Sequence, residues 1–107
     1  MNSLPPAQLA AWLNDASREP PVLLDVREPW EHQLGVIPGS LQVPMSALPA
    51  QVGELDPARP VVCICHVGAR SAQVAMWLAR MGFEEVYNLS GGVDAWSQQV
   101  DPALPRY

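Results

Sequence analysis

The sequence predicts an α/β fold, in which a mostly parallel sheet carries helices on both faces. Short apolar runs typical of buried strands alternate with segments whose apolar residues recur at helical spacing. Strands that alternate with helices pair in parallel, because each connecting helix packs back onto the sheet. The chain has 107 residues, and 49% of them are hydrophobic. That length and composition fit one packed domain over residues 1–107.

The amino-terminal half contains three predicted helices and two predicted strands. Ser3 is expected to cap the first helix, with Leu9, Trp12 and Leu13 on its inner face. The elements that follow are a buried strand over 22–26, a brief helix over 28–33, a short strand over 41–43 and a helix over 46–55.

The carboxyl-terminal half contains the most apolar strand of the chain, over residues 60–65. After it come a helix over 71–81, a strand over 86–89, a helix from Gly91 through Trp96 and a proline-rich tail. In parallel sheets, ligands bind beyond the carboxyl ends of the strands. Because the most apolar strand ends at Cys65, the sequence predicts that the reactive chemistry lies there.

Cys65 begins a short loop that leads into the following helix. The loop residues expected to form the binding site are His66, Val67, Gly68, Ala69, Arg70 and Ser71. Backbone amides of a glycine-containing loop and the N-terminus of a helix favour negative charge, and Arg70 adds a positive charge. The thiolate is the nucleophilic form of cysteine. We therefore expect the loop to stabilise a thiolate at Cys65, and equally the outer sulfur of a persulfide anion.

The charge pattern argues against several classes of partner. The net charge is −5, and all six basic residues are arginines. Nucleic acids and anionic membranes are bound by basic patches, so we expect neither as a partner. Residues 1–8 lack the charged and apolar regions of a signal peptide, and no apolar run reaches the roughly 18 residues that a membrane span requires. The sequence therefore predicts a cytoplasmic protein.

The second cysteine, Cys63, lies inside the same predicted strand and is interpreted as a core residue. We expect Cys63 and Cys65 to point to opposite faces of the strand, which argues against a disulfide between them. On the same ground we do not expect a metal site that combines them with His32 and His66. The sequence predicts neither a metal nor a cofactor.

Four segments carry recognisable patterns in a fixed order. The loop from Cys65 to Ser71 has a cysteine, four intervening residues, an arginine and a serine. The other three segments are Leu23 to His32 with its Asp-Val-Arg, Gly35 to Ser40, and Asn88 to Trp96. Together they resemble the signatures of the rhodanese-like, single-domain sulfurtransferase family.

The resemblance implies a five-stranded sheet and an enzyme that carries sulfane sulfur as a Cys65 persulfide. It implies a small sulfur donor, such as thiosulfate or a persulfide. It also implies a thiophilic acceptor, such as a thiol, a protein cysteine or cyanide.

Loop length and neighbouring residues refine this expectation. Phosphatases and arsenate reductases on related folds have five residues between cysteine and arginine, whereas Cys65 and Arg70 are separated by four. The family pattern therefore favours sulfur transfer over phosphate hydrolysis. The family often has a cation directly after the cysteine and a histidine in its Gly-His-Ile-Pro-Gly turn, where this chain has His66 and Val36. Thiosulfate is therefore expected to be an inefficient donor.

Asp25 and Arg27 follow each other closely at the end of a neighbouring strand and are expected near the loop. Asp25 is interpreted as structural, and Arg27 as either structural or substrate-binding. Arg70 either binds substrate or braces the loop by pairing with Asp25 or Glu28. Three rival functions stay open: a non-catalytic or regulatory module that binds a partner protein, a redox enzyme that uses both cysteines, and a phosphatase-like enzyme.

Overall fold

Five strands form the central sheet, and every neighbouring pair is parallel. The computed structural model describes all of residues 1–107. The strands are β1 (Asn2–Leu4), β2 (Val22–Asp25), β3 (Leu41–Gln42), β4 (Val61–Ile64) and β5 (Val86–Leu89). The helices are α1 (Pro6–Leu13), α2 (Pro29–Leu34), α3 (Leu48–Gln51), α4 (Ala69–Arg80) and α5 (Gly92–Gln99). The order across the sheet is β1-β5-β4-β2-β3, which places β4 at the centre.

The helices cover both faces of the sheet, and the predicted fold class is confirmed. The cluster on the α3 and α4 face includes Leu24, Leu48, Cys63, Val74 and Leu78. The cluster on the α1 and α5 face includes Leu9, Trp12, Ile64, Val93 and Trp96. All four residues of β4 are buried, because a central parallel strand is covered on both faces. None of the helices combines the length and the apolar character that crossing a bilayer requires.

Two expectations for the amino terminus were wrong. Ser3 does not cap α1, because it belongs to β1 and pairs in register with Asn88 of β5. The N-cap position of α1 is Pro5, which makes no side-chain cap. Leu13 is 36% exposed, because it is the last residue of a short helix, at the edge of the stripe that faces the sheet.

The helix predicted over 46–55 is broken into three short pieces. Single 3-10 turns at Met45–Ala47 and Val52–Glu54 flank α3. Pro49 is tolerated in the first turn of α3, and Gly53 lowers the helix propensity beyond its end. α4 begins at Ala69, two residues before the predicted start, because the left-handed backbone of Gly68 provides its N-cap position.

Cys63 and Cys65 lie on the same face of the sheet, so the expectation of opposite faces was wrong. Residues two apart on a strand share a face, and both cysteines belong to the cluster beneath α4. Opposite faces therefore do not separate the two thiols, and a metal site that combines them is not excluded on that ground. Both cysteines are free thiols. Burial raises the pKa of the Cys63 thiol to about 12, so that Cys63 stays protonated at neutral pH as part of the core.

Replacement of Cys63 by alanine tests its role as a core residue. We expect Cys63→Ala to lower the free energy of unfolding by about 1 kcal/mol, a typical cost of a small buried truncation. Urea denaturation of the variant and the wild type measures this difference. Labelling of the remaining thiol with iodoacetamide is expected to match the wild type. Loss of Cys65 reactivity in a folded Cys63→Ala protein would instead support a two-cysteine redox function.

Candidate functional site

Cys65 lies at the carboxyl end of β4, under the loop that leads into α4. Its side chain is 1% exposed. The Sγ atom accepts a hydrogen bond from the Gly68 N–H at 3.1 Å, and the Ser71 hydroxyl lies 3.2 Å from it. Gly68 has a φ of +104°, a conformation that turns the backbone sharply and that glycine adopts without strain. The loop therefore folds back over the sulfur and presents polar groups to it.

The N-terminus of α5 holds the carbonyl side of this loop. The N–H of Val93 donates to the Cys65 carbonyl at 2.9 Å, and the N–H of Asp94 donates to the His66 carbonyl at 3.1 Å. In a trans peptide the C=O and N–H groups point in opposite directions. The amides of His66 and Val67 therefore point away from α5. The carbonyl oxygens of Cys65 and His66, which would repel an anion at the sulfur, are hydrogen-bonded to α5 instead.

Close contact between α5 and the loop requires glycine. A Cβ atom on Gly92 would lie 2.4 Å from the carbonyl oxygens of both Cys65 and His66, and Gly92 has a φ of +61°. Gly91, the N-cap position of α5, also has a positive φ, of +75°. The Gly91-Gly92 pair thus allows the first turn of α5 to approach the loop backbone directly.

Arg70 braces the loop through an ion pair with Glu31 of α2. Its two terminal nitrogens lie 2.7 and 2.8 Å from the two Glu31 carboxylate oxygens. The hydrogen bonds from Arg70 are the main reason that the pKa of Glu31 is lowered from 4.5 to about 2, and the same bonds raise the pKa of Arg70. Arg70 pairs with neither Asp25 nor Glu28, contrary to both partners considered from the sequence. Glu31 was missed, although its spacing after Glu28 matches a helix capping box.

Asp25 and Arg27 form a second ion pair, which is fully buried. Arg27 is 1% exposed and Asp25 is fully buried. The Arg27 guanidinium lies 2.7 Å from a carboxylate oxygen of Asp25 and donates at 2.7 Å to the carbonyl of Gly35. Buried charges persist where they are paired and hydrogen-bonded. These contacts favour a structural role for Arg27 over a substrate-binding one.

Tyr107 connects the two ion pairs, and no pattern in the sequence indicated this role. Its hydroxyl accepts a hydrogen bond from Arg27 at 3.0 Å and donates one to Glu31 at 2.5 Å. Its ring stacks on His66, with 4.0 Å between ring centroids. Trp30 packs edge-on against the same ring and is 61% exposed. His66 therefore lies beneath an aromatic side chain at the rim of the loop.

Asn88 of β5 supports the loop from below and was also not singled out from the sequence. Its Nδ2 donates to the Gly68 carbonyl at 3.1 Å, and its Oδ1 accepts from the Ser71 hydroxyl at 2.5 Å. Asn88 is 8% exposed and Ser71 is fully buried. Asn88 lies in the segment that resembles the closing family signature, but its spacing alone did not indicate contact with the Cys65 loop.

Comparisons with known proteins identify the family. A sequence model described as the rhodanese-like domain matches residues 6–99. The chain belongs to the rhodanese-like domain family. It is 41% identical over 89 residues to a sulfurtransferase of Allochromatium vinosum, with 83% of each chain covered. It is 33% identical over 98 residues to the thiosulfate sulfurtransferase GlpE of Pseudoalteromonas translucida, covering 92% of this chain and 93% of that protein.

Further relatives of this rhodanese-like domain include longer proteins and solved structures. A chloroplastic rhodanese-like/PpiC domain-containing protein of Arabidopsis thaliana is 42% identical over an alignment of 89 residues, which covers 79% of this chain and 30% of that protein. The chain thus spans less than a third of the plant protein. A crystal structure of a rhodanese-like domain protein from Staphylococcus aureus superposes with a TM-score of 0.85 at 28% identity, covering 100% and 99% of the two chains. The resemblance inferred from the sequence is confirmed.

Alanine substitutions of Gly92 and Gly82 in the rhodanese-like domain separate the cost of a steric clash from the cost of left-handed backbone. Gly82→Ala is a matched control, because Gly82 has a φ of +98° but no atom within 4 Å of an added Cβ. We expect Gly82→Ala to cost about 1–3 kcal/mol from left-handed backbone alone. Gly92→Ala should cost more, because its Cβ also meets two carbonyl oxygens. Urea denaturation of both variants measures the difference, and equal costs would show that the α5 contact tolerates a methyl group.

The Glu31–Arg70 pair gives this domain a defined pH dependence. The pKa of Glu31 is about 2 in the folded chain and ordinarily 4.5. A depressed carboxyl pKa stabilises the fold fully above the ordinary value, and this contribution is lost as the pH falls toward the folded value. We expect the unfolding free energy of Glu31→Gln to fall less steeply than that of the wild type between about pH 5 and about pH 3. Urea titrations at both pH values test this, and parallel losses would contradict it.

Proposed function

We propose that this chain is a sulfurtransferase that carries sulfane sulfur as a persulfide on Cys65. The observation that carries the proposal is the geometry at Sγ. The Gly68 N–H donates to the sulfur, while the carbonyls of Cys65 and His66 are bound by α5. The resulting concentration of backbone N–H groups suits an anionic sulfur. Relatives named as sulfurtransferases support the same class of reaction.

The reaction consists of two displacements at the transferred sulfur. In the first, the Cys65 thiolate attacks the sulfane sulfur of the donor. A sulfur–sulfur bond to Cys65 forms, the donor bond breaks, and the leaving group keeps the electron pair as a thiolate or as sulfite. In the second, an acceptor thiolate or cyanide attacks the outer sulfur, and the electron pair returns to Cys65. The cysteine acts as a covalent nucleophile throughout, and no external oxidant or reductant is consumed.

Burial of the Cys65 side chain is compatible with this cycle. The inner sulfur is 1% exposed, but the outer sulfur of a persulfide stands about 2 Å further along the bond. The acceptor therefore meets the outer sulfur, while the inner sulfur stays under the loop. Loop amides that bind the outer sulfur anion act as preorganised hydrogen-bond donors.

The charges around the loop favour donors of low charge. Arg70 is paired with Glu31, and Arg27 is paired with Asp25. Both cations are thus neutralised by carboxylates, and a dianion such as thiosulfate meets little net positive potential. We propose a persulfide as the better donor and thiosulfate as the weaker one.

The exposed rim of the site favours a second candidate, a module that binds a partner protein. Trp30 is 61% exposed and Val67 is 56% exposed, so the rim of the loop offers apolar surface that a partner protein could cover. The two functions are compatible if the sulfur acceptor is a protein cysteine. They differ in whether Cys65 gains a sulfur atom.

Intact-mass spectrometry distinguishes these functions. Incubation with glutathione persulfide is expected to add one sulfur atom to the wild type and to Cys63→Ala, and none to Cys65→Ser. A serine hydroxyl cannot form a persulfide, and it occupies the same site with little change in volume. Thiosulfate is expected to give less of the same adduct. If the wild type gains no sulfur from either donor, or Cys65→Ser gains as much, the proposal is wrong. Circular dichroism of each variant controls for folding.

A further inference from the structure

The Ser71 hydroxyl lies within hydrogen-bonding distance of two acceptors, Asn88 Oδ1 and the Cys65 sulfur. The Ser71 oxygen lies 2.5 Å from Asn88 Oδ1 and 3.2 Å from Cys65 Sγ. A serine hydroxyl has only one hydrogen, so it can donate to one of these two atoms at a time. The state of the sulfur therefore depends on which atom receives that hydrogen bond.

The orientation of the Asn88 side-chain amide decides which atom receives the hydrogen bond from Ser71. The Gly68 carbonyl can only accept, so the amide nitrogen, Nδ2, must be the group that faces it at 3.1 Å. Asn88 Oδ1 then faces Ser71, and a carbonyl oxygen can only accept. The Ser71 proton is therefore directed at Asn88. A lone pair of the Ser71 oxygen faces the sulfur of Cys65.

This arrangement of hydrogen bonds is favourable for the thiol and the persulfide of Cys65 and unfavourable for the bare thiolate. In the thiol, the S–H group donates to the Ser71 oxygen. In the persulfide, the negative charge lies on the outer sulfur, and the inner sulfur is neutral and only a weak acceptor. In the bare thiolate, the anionic sulfur faces a lone pair, unless the Ser71 proton turns away from Asn88. A buried Asn88 oxygen would then lose its only donor, which is costly.

We propose that Asn88 is a positioning residue for the sulfur site. By holding the Ser71 proton, it disfavours the bare Cys65 thiolate and thereby favours the loaded persulfide, whose negative charge lies on the outer sulfur. This inference rests on the proposed function of Cys65. The Asn88 side chain bonds to Ser71 and to the Gly68 carbonyl, and it acts on the sulfur through Ser71.

The other groups that face Cys65 stay the same when Asn88 or Ser71 is changed. Arg70 on α4 and Cys63 on β4 both interact electrostatically with Cys65, and Arg70 is paired with Glu31. His66 follows Cys65 in the chain and is covered by Tyr107. Asn88 and Ser71 carry no charge, so their substitution changes hydrogen bonding at the sulfur without changing net charge.

The rate of iodoacetamide labelling measures how readily the Cys65 thiolate forms. All variants are made in the Cys63→Ala background, so that Cys65 is the only thiol. At a fixed pH at which Cys65 is mostly a thiol, we expect Asn88→Leu to raise the rate about tenfold, because the freed hydroxyl makes one hydrogen bond to a charged acceptor. The gain should vanish when Ser71→Ala is added.

The single substitution Ser71→Ala tests whether the Ser71 hydroxyl donates to the thiolate. This test does not require Asn88→Leu to fold. If the Ser71 proton is held by Asn88, removal of the hydroxyl does not slow labelling. A fall of about tenfold in Ser71→Ala, the scale of one hydrogen bond to a charged group, would show that Ser71 donates to the thiolate, and the inference would be overturned. It would also be overturned if Asn88→Leu labels no faster, or still labels faster without Ser71.

The loading equilibrium with glutathione persulfide and glutathione provides a second measurement. At a pH at which Cys65 labels at its limiting rate in all proteins, the freed hydroxyl stabilises the unloaded thiolate more than the persulfide. The loading constant of Asn88→Leu, measured by intact-mass spectrometry, should therefore fall about tenfold. An unchanged constant would contradict the role assigned to Asn88. If even the wild type takes up no sulfur, the proposed function fails, while the labelling experiment still decides how Asn88 affects the thiolate.

Discussion

The contact between the N-terminus of α5 and the Cys65 loop is the constraint on which the site depends. Two N–H groups of α5 bind the carbonyls of Cys65 and His66, which sets the direction of the intervening peptide groups. The contact is possible only because Gly92 has no side chain, since a Cβ atom would lie 2.4 Å from those oxygens. The backbone, and not a charged side chain, thus determines which groups face the sulfur.

Local patterns made the fold and the loop predictable, whereas the interactions that brace the loop depend on the tertiary arrangement. The position of Cys65 at the carboxyl end of the most apolar strand could be predicted, and in parallel sheets that end is where ligands bind. The Arg70–Glu31 pair could not, because the orientation of α2 decides which of several nearby carboxylates Arg70 meets. β1 was missed because three residues, two of them exposed, carry too short a pattern to distinguish a strand from a helix cap.

The arginines around the loop pair with carboxylates of neighbouring residues. Arg27 is paired with Asp25, Arg70 with Glu31, and the Tyr107 hydroxyl bonds to members of both pairs. Burial raises the pKa of the Tyr107 phenol, which keeps it a hydrogen-bond donor to Glu31. Because Glu31 of α2 bonds both to Arg70 and to Tyr107, these contacts restrict the positions of α2 and the loop. The guanidinium groups of Arg27 and Arg70 are thus engaged with carboxylates of the protein itself.

The parallel topology requires distant segments of the chain to come together during folding. β1 pairs with β5 through contacts such as Asn2 with Tyr87, and Tyr107 contacts Arg27 across 80 positions. Closing such long loops costs entropy, so a chain rich in distant contacts folds slowly. In the unfolded chain Cys63 and Cys65 are both solvent-accessible thiols. Folding buries both of them, and the two thiols then differ in their surroundings, because Cys63 lies among core side chains whereas Cys65 lies under the polar loop.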